Sequence, residues 1–446
     1  MLFINRKNII QNGYNDELKK LREDTLEILK SSIKSVDPYN SVKSKFKENK
    51  IIFNSKTFNI SDYKNVYLIG FGKASIGMTQ AVCDSIEVKK GIVITNDPLQ
   101  KIKNSKIKTY LGSHPIPNQN NIDGTDKALD IIKNCKKNDL LIVLISGGGS
   151  ALFCKPLVDL GDLQKSTDLL LKSGANINEI NTIRKHLSHV KGGKIASYTN
   201  CTVISFIISD IIGDPIEFIA SGPTYPDTTT FTDAKKILKK YNIEMKIPSD
   251  VKKKINEGIR GVITETPKEG DPIFNKVSNF IIANNKIACN AAQKKAEELG
   301  YRSIIITTSL DGEAKYIGKY LIDKVINFLN NGKRFVFIAG GESTVKIKGS
   351  GKGGRNQEMV LSCVKQLSDT NVVFSSFASD GIDGISNAAG AIADGYSYKR
   401  ALKKELNPDD FLKQNNSYEF FKNLNDLLMT GSTGTNVMDI QIIIKI

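Results

Sequence analysis

The chain has very little histidine and no tryptophan: 3 His and 0 Trp among 446 residues. So few imidazoles nearly exclude a His-rich catalytic metal site. Cysteine is also thin, with Cys83, Cys135, Cys154, Cys201, Cys289 and Cys363 scattered and no CxxC pair. That spacing fits neither a zinc knuckle nor a disulfide framework and predicts reduced, mostly buried thiols. No apolar run approaches the ~18 residues of a membrane span. The longest, Leu140–Ile145, is six. The first ten residues are mixed, and acids appear by Asp16 and Glu17, so neither a secretory nor a transit peptide is expected. The expectation is a soluble cytoplasmic protein with no membrane partner.

Arginine is the other scarcity. Only 8 of the 63 basic residues are Arg, although the formal net charge is +16. Such a surplus invites a nucleic-acid reading. Here it is made of lysines spread along an Ile- and Asn-rich chain, which looks like drift toward AT-rich codons, and nucleic acid is not expected as a partner. Where Arg persists in such a chain, its planar fork is a candidate requirement. Two of the eight, Arg184 and Arg355, lie in Gly-containing motifs.

What is present is a 40% hydrophobic chain long enough for about two or three domains. The apolar spacing of Tyr14–Val36 predicts an amphipathic helix that stops at Asp37-Pro38. After it, short β-rich runs (Val66–Ile69, Gly91–Ile94, Leu140–Ile145, Cys201–Ile208, Phe280–Ala283, Arg302–Thr307, Phe335–Ala339, Asn371–Phe377) alternate with helical patterns. That alternation predicts an α/β fold with a largely parallel sheet. A polar Thr/Asp-rich stretch places a boundary near residue 236, giving two α/β domains, 1–236 and 237–446, facing a cleft.

Glycines and polar residues recur where strands should end, the usual ligand side of such sheets. Gly70-Phe71-Gly72-Lys73-Ala74-Ser75-Ile76-Gly77 misses the dinucleotide fingerprint, with Ser75 where Gly is needed. Lys73 beside a helix start suits an anion; a plain tight turn is the alternative. No Walker A pattern exists, so a nucleotide would need another cradle. Ser146, Gly147, Gly148, Gly149 and Ser150 are the candidate, because consecutive glycines let backbone N–H groups converge on an oxyanion. Arg184, His186 and Lys191 crowd one short stretch and suit a carboxylate or phosphate; a solvated basic face is the alternative. His186 and His189 lack a third metal ligand nearby. Arg355 follows a Gly-rich lead at a helix start, where a cation is locally disfavoured and an anionic partner is expected. Asp210, Asp380 and Asp383 could hold Mg²⁺ with phosphate oxygens, or simply form turns. Cations, phosphate cradles and a few acids are the equipment of phosphoryl transfer.

Together these motifs resemble the class II glycerate kinases, glycerate 2-kinases with a C-terminal MOFRL domain. The resemblance runs from Val36-Asp37-Pro38 to Thr435-Asn436-Val437 and rests on Gly70–Ala74, Ile145–Leu152, Arg184–Gly193, Ser209–Asp227, Gly349–Glu358 and Asp380–Asp394. It implies a Rossmann-like three-layer N-terminal domain, a smaller α/β C-terminal domain and an active site in the interdomain cleft. The implied reaction moves the γ-phosphoryl of ATP, with Mg²⁺, to the 2-hydroxyl of D-glycerate. The family's proposed catalytic Lys and Arg fall on Lys73 and Arg355, and Asp210 is the favoured carboxylate for the hydroxyl or the metal. Partners are then small molecules, with a homodimer left open. Some relatives have carried the label hydroxypyruvate reductase, which makes an NAD(P)-dependent oxidoreductase the alternative. The chain departs from the family pattern at Ser113, Asn118, Ile385-Ser386-Asn387 and Ser432; the missing acid at Asn387 weakens a metal role there.

Overall fold

The computed structural model describes residues 2–99, 101–329 and 332–446. It divides into two compact units: Pro38–Ser209 with Asp214–Ile282, and Met1–Asp37 with Asp210–Gly213 and Ala283–Ile446.

The first unit is built on six strands: β1 (Val66–Phe71), β2 (Lys90–Thr95), β3 (Ile107–Leu111), β4 (Leu140–Ile145), β5 (Thr202–Ile208) and β6 (Val277–Ala283). Their order is β3-β2-β1-β4-β5-β6, and β1 to β5 are parallel. This is the doubly wound order, in which the chain leaves β1 one way and returns at β4 to run the other. All six residues of β4 are buried, as a strand covered on both faces requires. The ends of β1 and β4 therefore flank the point where the winding reverses.

The second unit holds β7 (Arg302–Leu310), β8 (Phe335–Gly341), β9 (Val372–Ala378), β10 (Gly390–Asp394), β11 (Leu427–Leu428) and β12 (Asp439–Lys445), in the order β7-β8-β12-β9-β10-β11. Only β7 and β8 pair in parallel, while β12 runs antiparallel to both β8 and β9. The expectation of a largely parallel sheet thus holds for the first unit and fails here. The last strand of the chain inserts at the centre of the sheet, a pairing that local periodicity cannot reveal.

The boundary expected near residue 236 does not separate the units. Helix Phe231–Lys240 buries Phe231, Ala234 and Leu238, and the last two share an apolar cluster with Ile180, Ile183, Val251 and Ile255. The first unit then continues through β6. Conversely, the expected N-terminal helix, observed at Asp16–Ser35 and capped by the Asn15 side chain, belongs to the second unit. Five cysteines are buried, Cys83 is partly exposed, and all six are free thiols. Among the described residues, no helix is long and apolar enough to cross a membrane.

Candidate active site

In the first unit the turn after β1 is stitched to the turn after β4. Gly72 has φ +116°, and a Cβ there would overlap Ser146 Oγ and its carbonyl, so glycine is required on both counts. The Lys73 amide donates to the Gly147 carbonyl (2.9 Å), and the Ala74 amide to Ser146 Oγ (3.1 Å). Ser75, which breaks the dinucleotide fingerprint, donates its hydroxyl back to the Gly72 carbonyl (2.7 Å) and opens helix Ser75–Cys83. Gly148, at φ +81°, faces both the His114 ring and the Lys73 stem, which a Cβ would meet at 3.1 and 3.4 Å. Lys73, His114 and the glycine loop are therefore one assembly.

Two further cations hold this loop from beneath. Arg184 Nη2 donates to the Ser150 carbonyl (3.2 Å); Lys191 Nζ donates to the same carbonyl (2.6 Å) and to that of Phe153 (3.2 Å). Burial pushes the Lys191 ammonium down to about 7, with Arg184 adding to the effect. Burial lowers His114 below its usual value, and Lys73 and Arg184 lower it further. Burial likewise lowers Arg184. His114, Arg184 and Lys191 are thus pushed toward their neutral forms, and an anion seated among them would reverse that push.

The loop's outer side meets a strained turn. Ala220 and Ser221 take φ +51° and +63°, left-handed values that residues with a Cβ adopt only under constraint. Ser221 Oγ lies 2.7 Å from Ser150 Oγ and donates to Asn181 Oδ1 at 3.4 Å. His114 and Ser221 were not among the residues expected from sequence. His114 had one signal, as one of only 3 histidines; Ser221 lies within the Ser209–Asp227 segment, but its role depends on backbone dihedrals that the residue pattern does not disclose.

His186 is not brought to the loop. Two residues from Arg184 it points to the far side of helix Ile177–His186. There its Nδ1 pairs with the Thr182 carbonyl (2.7 Å) and its Nε2 with Glu265 Oε1 (2.8 Å). Its position corrects the expected substrate-binding role: these are the contacts of a structural histidine.

In the second unit, Arg355 begins helix Arg355–Leu361, as expected, but its anionic partners are protein side chains. Nε and Nη2 form a fork onto Asp439 (2.6 and 3.0 Å), and Nη1 reaches Glu342 Oε1 (2.6 Å). Burial would weaken the Arg355 cation, but Asp439 and Glu342 hold it protonated more firmly than usual. Burial pushes the Asp439 carboxyl up to about 7 against the downward pull of Arg355. Asp439 begins β12, opposite Gly341 of β8 and Ala378 of β9, so the strand ends fix the anchor of the guanidinium.

Asp383 does not fit the metal role expected of it. Its two carboxylate oxygens accept from the Asn356 amide and Nδ2 and from the Gln357 amide and Nε2, at 2.9–3.2 Å. Four donors occupy the carboxylate, which supplies the negative charge that this helix start favours. Asp380 Oδ1 accepts from the Ile382 amide (3.0 Å) in a turn. Asp210 directly follows Ser209 at the end of β5 yet groups with the second unit. Among the described residues, no three His, Cys, Asp or Glu side chains are grouped to hold a metal ion.

Two family models match the chain: DUF4147, a domain of unknown function, over residues 24–256, and the MOFRL family over residues 335–439. The glycerate 2-kinase of Pyrococcus horikoshii is 45% identical, covering 95% of this chain and 97% of that one. The D-glycerate 2-kinase of Thermotoga maritima is 39% identical, covering 95% and 98%. Among solved structures, a Pyrococcus horikoshii protein superposes with a TM-score of 0.85 at 44% identity, covering 95% of this chain and 98% of that one. A Thermotoga maritima glycerate kinase (EC 2.7.1.31) gives 0.85 at 37%, covering 96% and 100%.

Proposed function

This chain belongs to the class II glycerate kinases, and from that premise we propose that it transfers the γ-phosphoryl group of ATP to the 2-hydroxyl of D-glycerate. The observation that carries the reading is the cationic glycine loop at the reversal of the first sheet. Both reactants are anions, and Lys73, His114, Arg184 and Lys191 converge on that loop.

In this reading the Gly147 and Gly148 amides and the Lys73 ammonium hold phosphate oxygens, the usual task of a nest of backbone donors beside a cation; the Gly149 amide is already donated to the Ser146 carbonyl (3.1 Å) and closes the turn. Arg184 acts on the same anion. Lys191 is a positioning residue, since its ammonium is spent on the Ser150 and Phe153 carbonyls. Arg355 stabilises charge on the transferring group through whichever N–H groups its carboxylates leave open. Asp210 receives the proton of the 2-hydroxyl as the new O–P bond forms and the bridging O–P bond of ATP breaks, releasing ADP. Mg²⁺ would arrive with ATP and offset the charge of its phosphates; among the described residues no three His, Cys, Asp or Glu side chains are grouped to hold a resident ion.

The test is one incubation of the purified protein with ATP, Mg²⁺ and D-glycerate, followed by phosphorus NMR. The expected product is 2-phospho-D-glycerate, with ATP consumed only when glycerate is present. A 3-phosphate product overturns the assignment of the hydroxyl. NADH oxidation by hydroxypyruvate without ATP turnover overturns the kinase reading in favour of an oxidoreductase.

A further inference from the structure

The first unit holds a cavity of ≈340 Å³ that is separate from the glycine loop. Glu265, which meets His186 on the far side of helix Ile177–His186, forms part of its wall. We infer that this cavity is a second anion site, one that takes the phosphate monoester of a small organic molecule. Its volume lies within the range of small-molecule sites.

Two cationic side chains face the cavity, His189 and Lys194. Lys194 Nζ donates to the Lys185 carbonyl (3.2 Å) and to the Ser188 carbonyl (2.5 Å), so an ammonium with three N–H groups keeps one for a ligand. Burial pushes Lys194 down to about 8, against the pull of Asp227 and Glu265. Burial also lowers His189; Lys194, Lys155 and Lys133 lower it further, and Asp126, the ion-pair partner of Lys155 at 2.7 Å, opposes them. An incoming anion would relieve both groups. The hydroxyls of Ser197, Tyr198 and Thr264 add donors, and the Ser188 hydroxyl, which accepts from the Val190 amide (3.1 Å), still has its proton to give. Glu265 is the one carboxylate in this wall, and its oxygens are taken up by His186 Nε2 (2.8 Å) and by the Phe231 and Thr266 amides (2.9 and 2.8 Å), with Lys268 Nζ 3.8 Å away. So many donors around one space suit the three terminal oxygens and near-double charge of a phosphate monoester. Leu157, Ile263 and Pro267 complete the wall. They would cover a small organic body, which inorganic phosphate lacks.

With only 3 histidines, the chain carries its own reporters: His114 for the glycine loop and His189 for the cavity. The test follows the imidazole C2–H signals of the full chain by proton NMR from pH 5 to 8, assigned with His114→Gln and His189→Gln. Glycerol 2-phosphate should raise the His189 titration midpoint by about one unit, the scale of one opposite charge nearby. It should do so at roughly tenfold lower concentration than inorganic phosphate, the gain from covering the apolar part of the wall. Ser197 is exposed, so the fold should accept a change there. Ser197→Asp should abolish the response of His189 by repelling the dianion and leave that of His114 as in the parent, whereas Ser197→Ala should keep both. A His189 signal that stays in place while His114 moves would put the phosphate on the glycine loop alone and overturn the site. A His189 response that survives Ser197→Asp, or no response at either histidine, overturns it as well. Equal potency of inorganic phosphate would overturn the assignment of an organic monoester.

Discussion

Arg355 carries five N–H donors. Three are engaged, two by Asp439 and one by Glu342, so Nη1 and Nη2 each keep one. The two carboxylates differ in kind. The Asp439 side chain is 1% exposed and the Glu342 side chain 44%. Asp439 is a fixed anchor on a strand, whereas Glu342 can leave and open the whole Nη1–Nη2 edge to a phosphoryl group or a carboxylate. The two truncations should therefore have different consequences. Glu342→Gln should lower the KM for an anionic substrate, because a competing carboxylate is gone. Asp439→Asn should leave the guanidinium misplaced and lower kcat by about a hundredfold, the scale of a small positional error at a reacting group. Steady-state kcat and KM for both variants decide the matter. If both variants lose activity alike, the distinction between anchor and gate is wrong. The scarcity of arginine flagged this residue in the sequence. That its first fork would be taken up by the protein was illegible, because Asp439 lies 84 residues away.

The turn after β1 shows what a motif discloses at the scale of an element. Its glycines read as a damaged nucleotide fingerprint, yet they have unlike physical roles. Gly72 has φ +116°, and a Cβ there would overlap Ser146. Gly77 lies inside helix Ser75–Cys83, and a Cβ there would make only ordinary contact with Pro38 at 3.6 Å. Gly72→Ala should therefore destabilise by about 2–4 kcal/mol, through left-handed strain and overpacking. Gly77→Ala should stabilise by about 0.5–1 kcal/mol, as glycine-to-alanine changes inside helices do. Urea unfolding of both variants checks the signs, and a stabilised Gly72→Ala would show that the turn is not closed against Ser146. Much of the fold was legible at this scale, since β1, β2, β4 and β5 fall on the apolar runs and the loop at Ser146–Ser150 follows directly from one of them. The mixed second sheet was not. A strand that enters the sheet centre from the C-terminus leaves no local trace, and neither does the pairing of the Ser150 and Ser221 hydroxyls across 71 residues.

At the scale of the whole chain, one buried arginine that motif reading passes over helps tie the N-terminal helix to the second unit. Arg22, on the N-terminal helix, is fully buried and donates through Nε to Asp394 (2.5 Å) and through Nη1 to Asp426 (2.7 Å). These carboxylates are themselves 0% exposed and lie 372 and 404 residues away. Arg400 also pairs with Asp426. Burial pushes the Asp426 carboxyl up, but Arg22 and Arg400 outweigh it and hold the group below its ordinary value. A carboxylate depressed in this way adds stability that is fully present above its unfolded pKa and is lost as pH falls through its folded one. Arg22→Met keeps most of the volume but takes the guanidinium from buried Asp394 and leaves Asp426 with Arg400 alone, so it should cost about 3–5 kcal/mol, the scale of breaking a buried ion pair from one side. Arg22 draws two carboxylates of the second unit onto a helix from the opposite end of the sequence, so the loss should fall on that unit. Hydrogen exchange should show protection lost in 283–446 and in Asp16–Ser35, while β1 to β5 remain protected. A variant as stable as the parent, or one that loses protection first in the β1–β5 sheet, would mean that Arg22 does not join the N-terminal helix to the second unit.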